Sequence, residues 1–246
     1  MAEPFKFSHT KIDDHIQKVG FDIRPVIEHK LDREKLFAIG KELVDKYPNL
    51  YESLVQSPTD FHIRKKFIFP GKGEIDFVTL GVAQRGPVFI FPRKLSIFDD
   101  EIELDRVEDI VLECVKIFRH ILPEKKLLRV GLVNEYVFNT GLLDSIRLIC
   151  ERFTKLSGLE NGEIRLRINR LTDDYNRNIE IQAVRKLEAV PEIPDRRQTK
   201  NYGVRVMVDF NNLDVSRDLD NARILSVLHD AREFNENELY AFLNGE

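Results

Sequence analysis

Apolar residues along this chain fall into two rhythms, a helical one near 3.6 residues and a strand-like one of two, and the rhythms alternate. Leu36, Ile39, Gly40, Leu43, Val44 and Tyr47 recur at helical spacing, with Asp32 placed as N-cap and Pro48 as stop. Val107, Ile110, Val111, Cys114, Ile117, Phe118 and Ile121 trace a second helical stripe. Asp105 and Glu108 open it in the manner of a capping box, and Pro123 lies beyond it. A third stripe runs through Leu142, Leu143, Ile146, Ile149, Cys150 and Phe153 and stops near Gly158. A fourth begins near Asp218 and carries Ile224, Val227, Leu228, Ala231 and Phe234. Asn235 and Glu238 then re-cap a final turn holding Leu239, Phe242 and Leu243.

Between these stripes the pattern predicts strands at 21–24, 61–69, 75–83, 88–95, 127–138, 163–171, 178–187 and 202–210. Pro70-Gly71-Lys72-Gly73 and Arg85-Gly86-Pro87 read as turns of an antiparallel meander. Pro25 restricts the first strand to an edge or a bulge. Residues 1–19, short of periodic apolar positions, read as an N-terminal arm, and 188–201 read as a loop.

The order strand, helix, three strands, helix then occurs twice, over 20–123 and 124–246. This predicts an α+β fold: antiparallel sheet with helices on one face, in two βαβββα halves packed as one unit. A tandem pseudo-repeat explains the order, and so does coincidence, since no residue-level repeat is visible.

The two meanders differ. Ile164, Leu166 and Ile168 alternate with Arg165, Arg167 and Asn169, and Val204, Val206, Val208 and Phe210 alternate with Arg205, Met207 and Asp209. Such alternation means one buried and one wet face. Phe77-Val78 and Val88-Phe89-Ile90-Phe91 are apolar on both faces. Those strands need cover from the N-terminal arm, from the other half or from a second subunit, which makes a homodimer one expectation.

Composition narrows the function classes. The chain has 246 residues, 42% of them hydrophobic, which supplies a sizeable core. Lys+Arg 38 against Asp+Glu 42 leaves a net charge of -4, so no bulk basic excess marks a duplex-DNA binder. The two cysteines, Cys114 and Cys150, sit in apolar helical stripes and read as buried thiols of a reducing compartment. No apolar signal-like region opens the chain and no run is long enough to span a bilayer, so the expected setting is cytoplasmic, with no membrane partner.

Catalytic motifs are scarce. Gly71-Lys72-Gly73 has neither the spacing nor the Lys-Ser/Thr ending of a P-loop and reads as a hairpin turn. No Gly-x-Ser-x-Gly elbow and no His-Glu-x-x-His helix occurs. The six histidines, at 9, 15, 29, 62, 120 and 229, show no metal-ligand spacing with one another or with the cysteines. His229 and Asp230 are neighbours on a helix, so their side chains are expected to diverge without forming a pair. Glu74/Asp76, Asp99-Asp100-Glu101, Asp173-Asp174 and Asp218/Asp220 are the carboxylate clusters. Most sit in turns or at a helix start, where Asp serves orphan amides. The reading is therefore no cofactor and no metal, with a site assembled from distant residues left open.

Binding has the better case. Arg165, Arg167 and Arg205 share the wet face, and Arg196, Arg197 and Lys200 occupy the segment read as a loop beside it. Arginine forks suit phosphate or carboxylate. The alternative is that Glu180 and Asp209 on that face pair with the arginines and leave a neutral solvated surface.

Two stretches add a resemblance: Leu128-Arg129-Val130-Gly131-Leu132, and Leu228-His229-Asp230-Ala231-Arg232-Glu233-Phe234 after Val208-Asp209-Phe210. In these motifs and in its order of segments the chain resembles a sporadically distributed family of uncharacterised prokaryotic α/β proteins. Val133-Asn134 stands where that family has Arg-Tyr. The resemblance implies the architecture and carries no activity with it.

Three functions follow in order of support. First is a non-catalytic binding or scaffold protein that recognises another protein or itself. Second is a nucleic-acid-associated module using the arginine face, and third a metal-dependent hydrolase.

Overall fold

In the computed structural model the described residues are 5–24, 33–48, 53–56, 61–69, 73–83, 86–92, 104–141, 143–154, 156, 163–190 and 193–246. Over 53–92, 104–107 and 185–202, and at a few positions elsewhere, only the backbone is described. The elements are β1 (Ile12–Arg24), α1 (Arg33–Lys46), β2 (Ser53–Gln56), β3 (Phe61–Phe69), β4 (Gly73–Ala83), β5 (Gly86–Pro92), α2 (Leu104–Ile121) and β6 (Lys126–Asn139). There follow α3 (Ser145–Phe153), β7 (Arg165–Leu171), β8 (Tyr175–Val190), β9 (Ile193–Asn212), α4 (Asn221–Glu233) and α5 (Leu239–Asn244).

All nine strands form one antiparallel sheet in the order β2-β3-β4-β5-β1-β6-β9-β8-β7. The fold is α+β, as the alternating rhythms predict. Counting outward from the central strand β1, strands β5, β4, β3 and β2 lie on one side and β6, β9, β8 and β7 on the other.

Alternation on the central strands decides which face is covered. On β6, Leu128, Val130, Leu132, Tyr136 and Phe138 are buried, and on β9 so are Val204, Val206, Val208 and Phe210. The residues between them, Arg129, Val133, Glu135 and Val137 on β6 and Arg205, Met207 and Asp209 on β9, are half-buried. Helix α4 packs on β6 and β9, α3 on β8 and β9, and α2 reaches both α1 and α4. From α2 come Ile110, Val111, Cys114, Ile117 and Phe118, all buried, as its stripe requires.

Several element boundaries differ from the pattern reading. Residues 12–19 belong to β1, a central strand, rather than to an arm. Its inward row includes His15, whose Nε2 lies 2.8 Å from Asn134 Oδ1 and whose ring stacks on Tyr136 at 4.3 Å. A polar residue on the core face, with its partner on the next strand, removes the expected alternation. Strand β1 is no edge, and its pairing with β6 shifts register between Ile12 and Asp14 and between Asp22 and Ile23; Pro25 lies outside the described residues. Asp105 stands inside α2 rather than ahead of it. Leu143 precedes α3, whose N-cap is Asp144, accepting from the Arg147 amide, and Leu142 lies outside the described residues. Helix α4 is capped by Asp220, and instead of stopping it runs through a π turn, Phe234–Glu238, into α5. There Asn235 donates to the Ala231 carbonyl at 2.6 Å and accepts from the Tyr136 hydroxyl at 3.4 Å.

The largest difference is at 188–201. Its described residues, 188–190 and 193–201, are strand: β8 and β9 pair as one long hairpin. Strand β6 accompanies β9 only as far as Gly203, and β7 accompanies β8 only as far as Gln182. Beyond Val184 and Gly203, from Arg185↔Asn201 to Val190↔Ile193, the two strands pair with each other alone among the described residues. At about 3.4 Å per residue, this ribbon extends the sheet by roughly 20 Å. The two-sided apolar strands around Phe77 and Val88–Phe91 are β4 and β5, interior to the sheet. Their side chains, and so what covers them, lie outside the described residues.

Candidate interaction surface

The uncovered face of β6, β9, β8 and β7 holds the arginines singled out by the pattern. Register puts Arg165 opposite Gln182 and Gln182 opposite Arg205, in one row. The next row holds Arg167, Glu180, Met207 and Glu135. Two strands, β7 and β9, therefore bring Arg165, Arg167 and Arg205 to one patch with β8 between them.

That patch is internally matched. Glu180, buried on this face, accepts from Arg165 Nη2 at 2.6 Å through one oxygen, and its other oxygen lies 3.8 Å from Arg205 Nη1. Arg205 also donates through Nε to Glu135 Oε1 at 2.7 Å and through Nη1 to Gln182 at 3.4 Å. The Glu135 bond, against partial burial, raises the Arg205 guanidinium above its ordinary value. One strand over, Arg129 lies 3.7 Å from Asp22 and 3.5 Å from Asp209. Four arginines thus face four carboxylates, and Arg167 is the exposed member with no ion pair among the described residues. Glu180 pairs as the neutral-surface alternative expects, whereas Asp209 takes Arg129 as its partner. Glu135 is the partner that pattern reasoning missed.

Arg196, Arg197 and Lys200 are not part of this patch. Their register places them on the ribbon, Arg197 opposite Ala189 and Lys200 opposite Lys186, and their side chains lie outside the described residues. Ribbon residues 185–201 carry Arg185, Lys186, Arg196, Arg197 and Lys200 against Glu188, Glu192 and Asp195.

The carboxylate clusters serve local structure where they are described. Asp218 accepts from the Leu127 amide at 2.8 Å, Asp220 caps α4 at 2.7 Å, and Asp174 lies 3.5 Å from Arg223. Asp99, Asp100 and Glu101 lie outside the described residues, as do the side chains of Glu74 and Asp76. His229 and Asp230 do meet: Nδ1 of one lies 3.7 Å from Oδ1 of the other, because the exposed imidazole swings across the helix surface.

No family model matches the chain, and no curated protein is significantly similar to it. Among the described residues no helix is long and apolar enough to cross a membrane.

Proposed function

We propose that the chain is a non-catalytic recognition protein whose partner is a protein, first of all a second copy of itself, engaged through the β8–β9 ribbon. The observation behind this reading is the ribbon: six backbone pairs with no third strand among the described residues. A two-stranded hairpin alone is marginally stable in water, so a ribbon of this length calls for something to lie against. The charge balance favours protein over nucleic acid. The adjoining Arg165 and Arg205 are already paired, and the ribbon's own cations are partly offset by carboxylates. A net charge of only -4 opposes self-association weakly.

The test is sedimentation of the full chain beside a variant in which Asn-Gly joins Val184 to Gly203 in place of 185–202. A dimer that becomes a monomer on shortening, with the sheet retained by circular dichroism, supports the reading. A full chain that is strictly monomeric overturns it. A second reading rests on the same element, because a two-stranded ribbon fits the DNA major groove. It requires binding that falls steeply with salt and is lost in the shortened variant, and the absence of binding at low salt removes it.

A further inference from the structure

Away from the ribbon, one turn of α4 gathers donor atoms that the recognition reading leaves unused. His229, Asp230 and Glu233 each offer a ligand atom, and all three lie within 4.8 Å of one another. Zinc bonds to nitrogen and oxygen of about 2.0–2.2 Å put the ligand atoms of a tetrahedral ion roughly 3.4 Å apart. The His229–Asp230 separation of 3.7 Å is already close to that. Residues 229 and 233 stand one helical turn apart on one face, so side-chain movement alone closes the set.

A second element orients the group. Asp230 turns Oδ1 toward His229, while its Oδ2 accepts from the Tyr175 hydroxyl on β8 and from Ser226 Oγ at 3.3 Å. A carboxylate whose far oxygen is held from outside while its near oxygen faces an imidazole is the outer-shell arrangement of protein metal sites. The nearby cations have partners of their own. Arg223 donates to the Tyr175 hydroxyl at 3.4 Å, lies over that ring at 5.2 Å and is 3.5 Å from Asp174, and Arg232 pairs with Glu108 at 2.5 Å.

We propose that this cluster is a divalent transition-metal site of the Zn²⁺ or Co²⁺ class, ligated by His229, Asp230 and Glu233 and oriented by Tyr175 and Ser226. One imidazole with two carboxylates suits those ions better than Mg²⁺ or Ca²⁺, which take oxygen ligands. His229 and Glu233 are exposed, so three protein ligands leave a position open to water or to a donor from another molecule. Histidine and cysteine spacing alone could not reveal the site, because two of its ligands are carboxylates.

Untagged full-length chain, stripped with chelator, is titrated with Co²⁺ by visible absorption and with Zn²⁺ by calorimetry. One equivalent is expected. His229→Asn and Glu233→Gln each weaken binding at least about tenfold, and Tyr175→Phe weakens it about 10–100-fold while far-ultraviolet circular dichroism stays unchanged. No binding by the wild-type chain overturns the proposal, as does a His229→Asn variant that binds as tightly. Binding indifferent to Tyr175→Phe overturns the orienting role.

Discussion

Phe7 and Asn244, near opposite ends of the chain, exchange two hydrogen bonds. The Phe7 amide donates to Asn244 Oδ1 at 2.9 Å, and Asn244 Nδ2 donates to the Phe7 carbonyl at 3.1 Å. The Phe7 ring is buried edge-on to Phe138 at 5.1 Å, and the Arg152 guanidinium lies 5.5 Å above it and donates to the Phe5 carbonyl at 2.5 Å. An asparagine is suited to this double role because its amide both accepts and donates. The lead-in to β1 is therefore clamped between the end of α5 and the core.

Asn244→Ala leaves both backbone groups of Phe7 without protein partners and is expected to destabilise the chain by about 1–3 kcal/mol. Asn244→Asp keeps only the acceptor and is expected to recover little. Phe7→Ala adds a cavity and costs about 3–5 kcal/mol. Urea titrations with unchanged slope read all three. An Asn244→Ala midpoint indistinguishable from wild type would mean that the clamp does not hold in solution.

What was legible in the sequence follows from where burial is one-sided. The α2 stripe and the alternation on β6 and β9 each reflect a single covered face, so period and burial agree residue by residue. Strand β1 was hidden because its inward row includes His15, whose Nε2 meets Asn134 on a strand more than a hundred residues later. The β8–β9 ribbon was hidden for the opposite reason. With no third strand beside it among the described residues, its sequence lacks a strict period of two, and Pro191 and Pro194 add the look of a loop. The arginine patch was half legible: Glu180 lies on the neighbouring strand of the same meander, whereas Glu135 is brought in by the long-range pairing of β6 with β9. Tyr175 at the start of β8 meets Asp230 of α4 only through the fold, which no spacing along the chain encodes.

Two glycines at the sheet centre should respond oppositely to a methyl group. Gly20 and Gly131 are register partners on β1 and β6. A Cβ on Gly131 would lie 3.0 Å from Asn211 Cβ and 3.2 Å from the Phe210 carbonyl oxygen, both fixed by the β9 ladder, whereas one on Gly20 would meet nothing within 4 Å among the described residues. Gly131→Ala is expected to destabilise by about 1–3 kcal/mol through crowding. Gly20→Ala is expected to be neutral or to stabilise by up to about 1 kcal/mol by restricting the unfolded chain. Thermal melts of the pair read the difference, and equal effects would contradict the register.

Acid should loosen the contact between α1 and α2. Lys46 hydrogen-bonds Glu113, and that bond, against partial burial, holds the Glu113 carboxyl below the usual glutamate range. A carboxyl depressed in the folded state contributes stability above its unfolded value, and the contribution is lost as pH falls through the folded one. The wild-type chain should therefore lose more stability than Glu113→Gln between about pH 6 and about pH 3. The two side chains are partly exposed, so the difference is modest and shrinks with salt. Parallel pH profiles for the two proteins would exclude the linkage.

The thiols test whether the core opens. Cys114 on α2 and Cys150 on α3 are both free and buried. Burial, reinforced by the Glu113 charge, pushes the Cys114 thiol well above its ordinary range, so the reactive thiolate is suppressed twice, by access and by ionisation. An aromatic disulfide reagent should find no fast-reacting thiol in the native chain and two in denaturant. Residual native reaction should follow global unfolding, because α2 contacts both α1 and α4 and cannot release Cys114 alone. Glu113→Gln separates the two causes, since it removes the neighbouring charge and leaves the burial. If that variant stays as unreactive as wild type at neutral pH, access controls the thiol. If its rate rises while stability is unchanged, ionisation does.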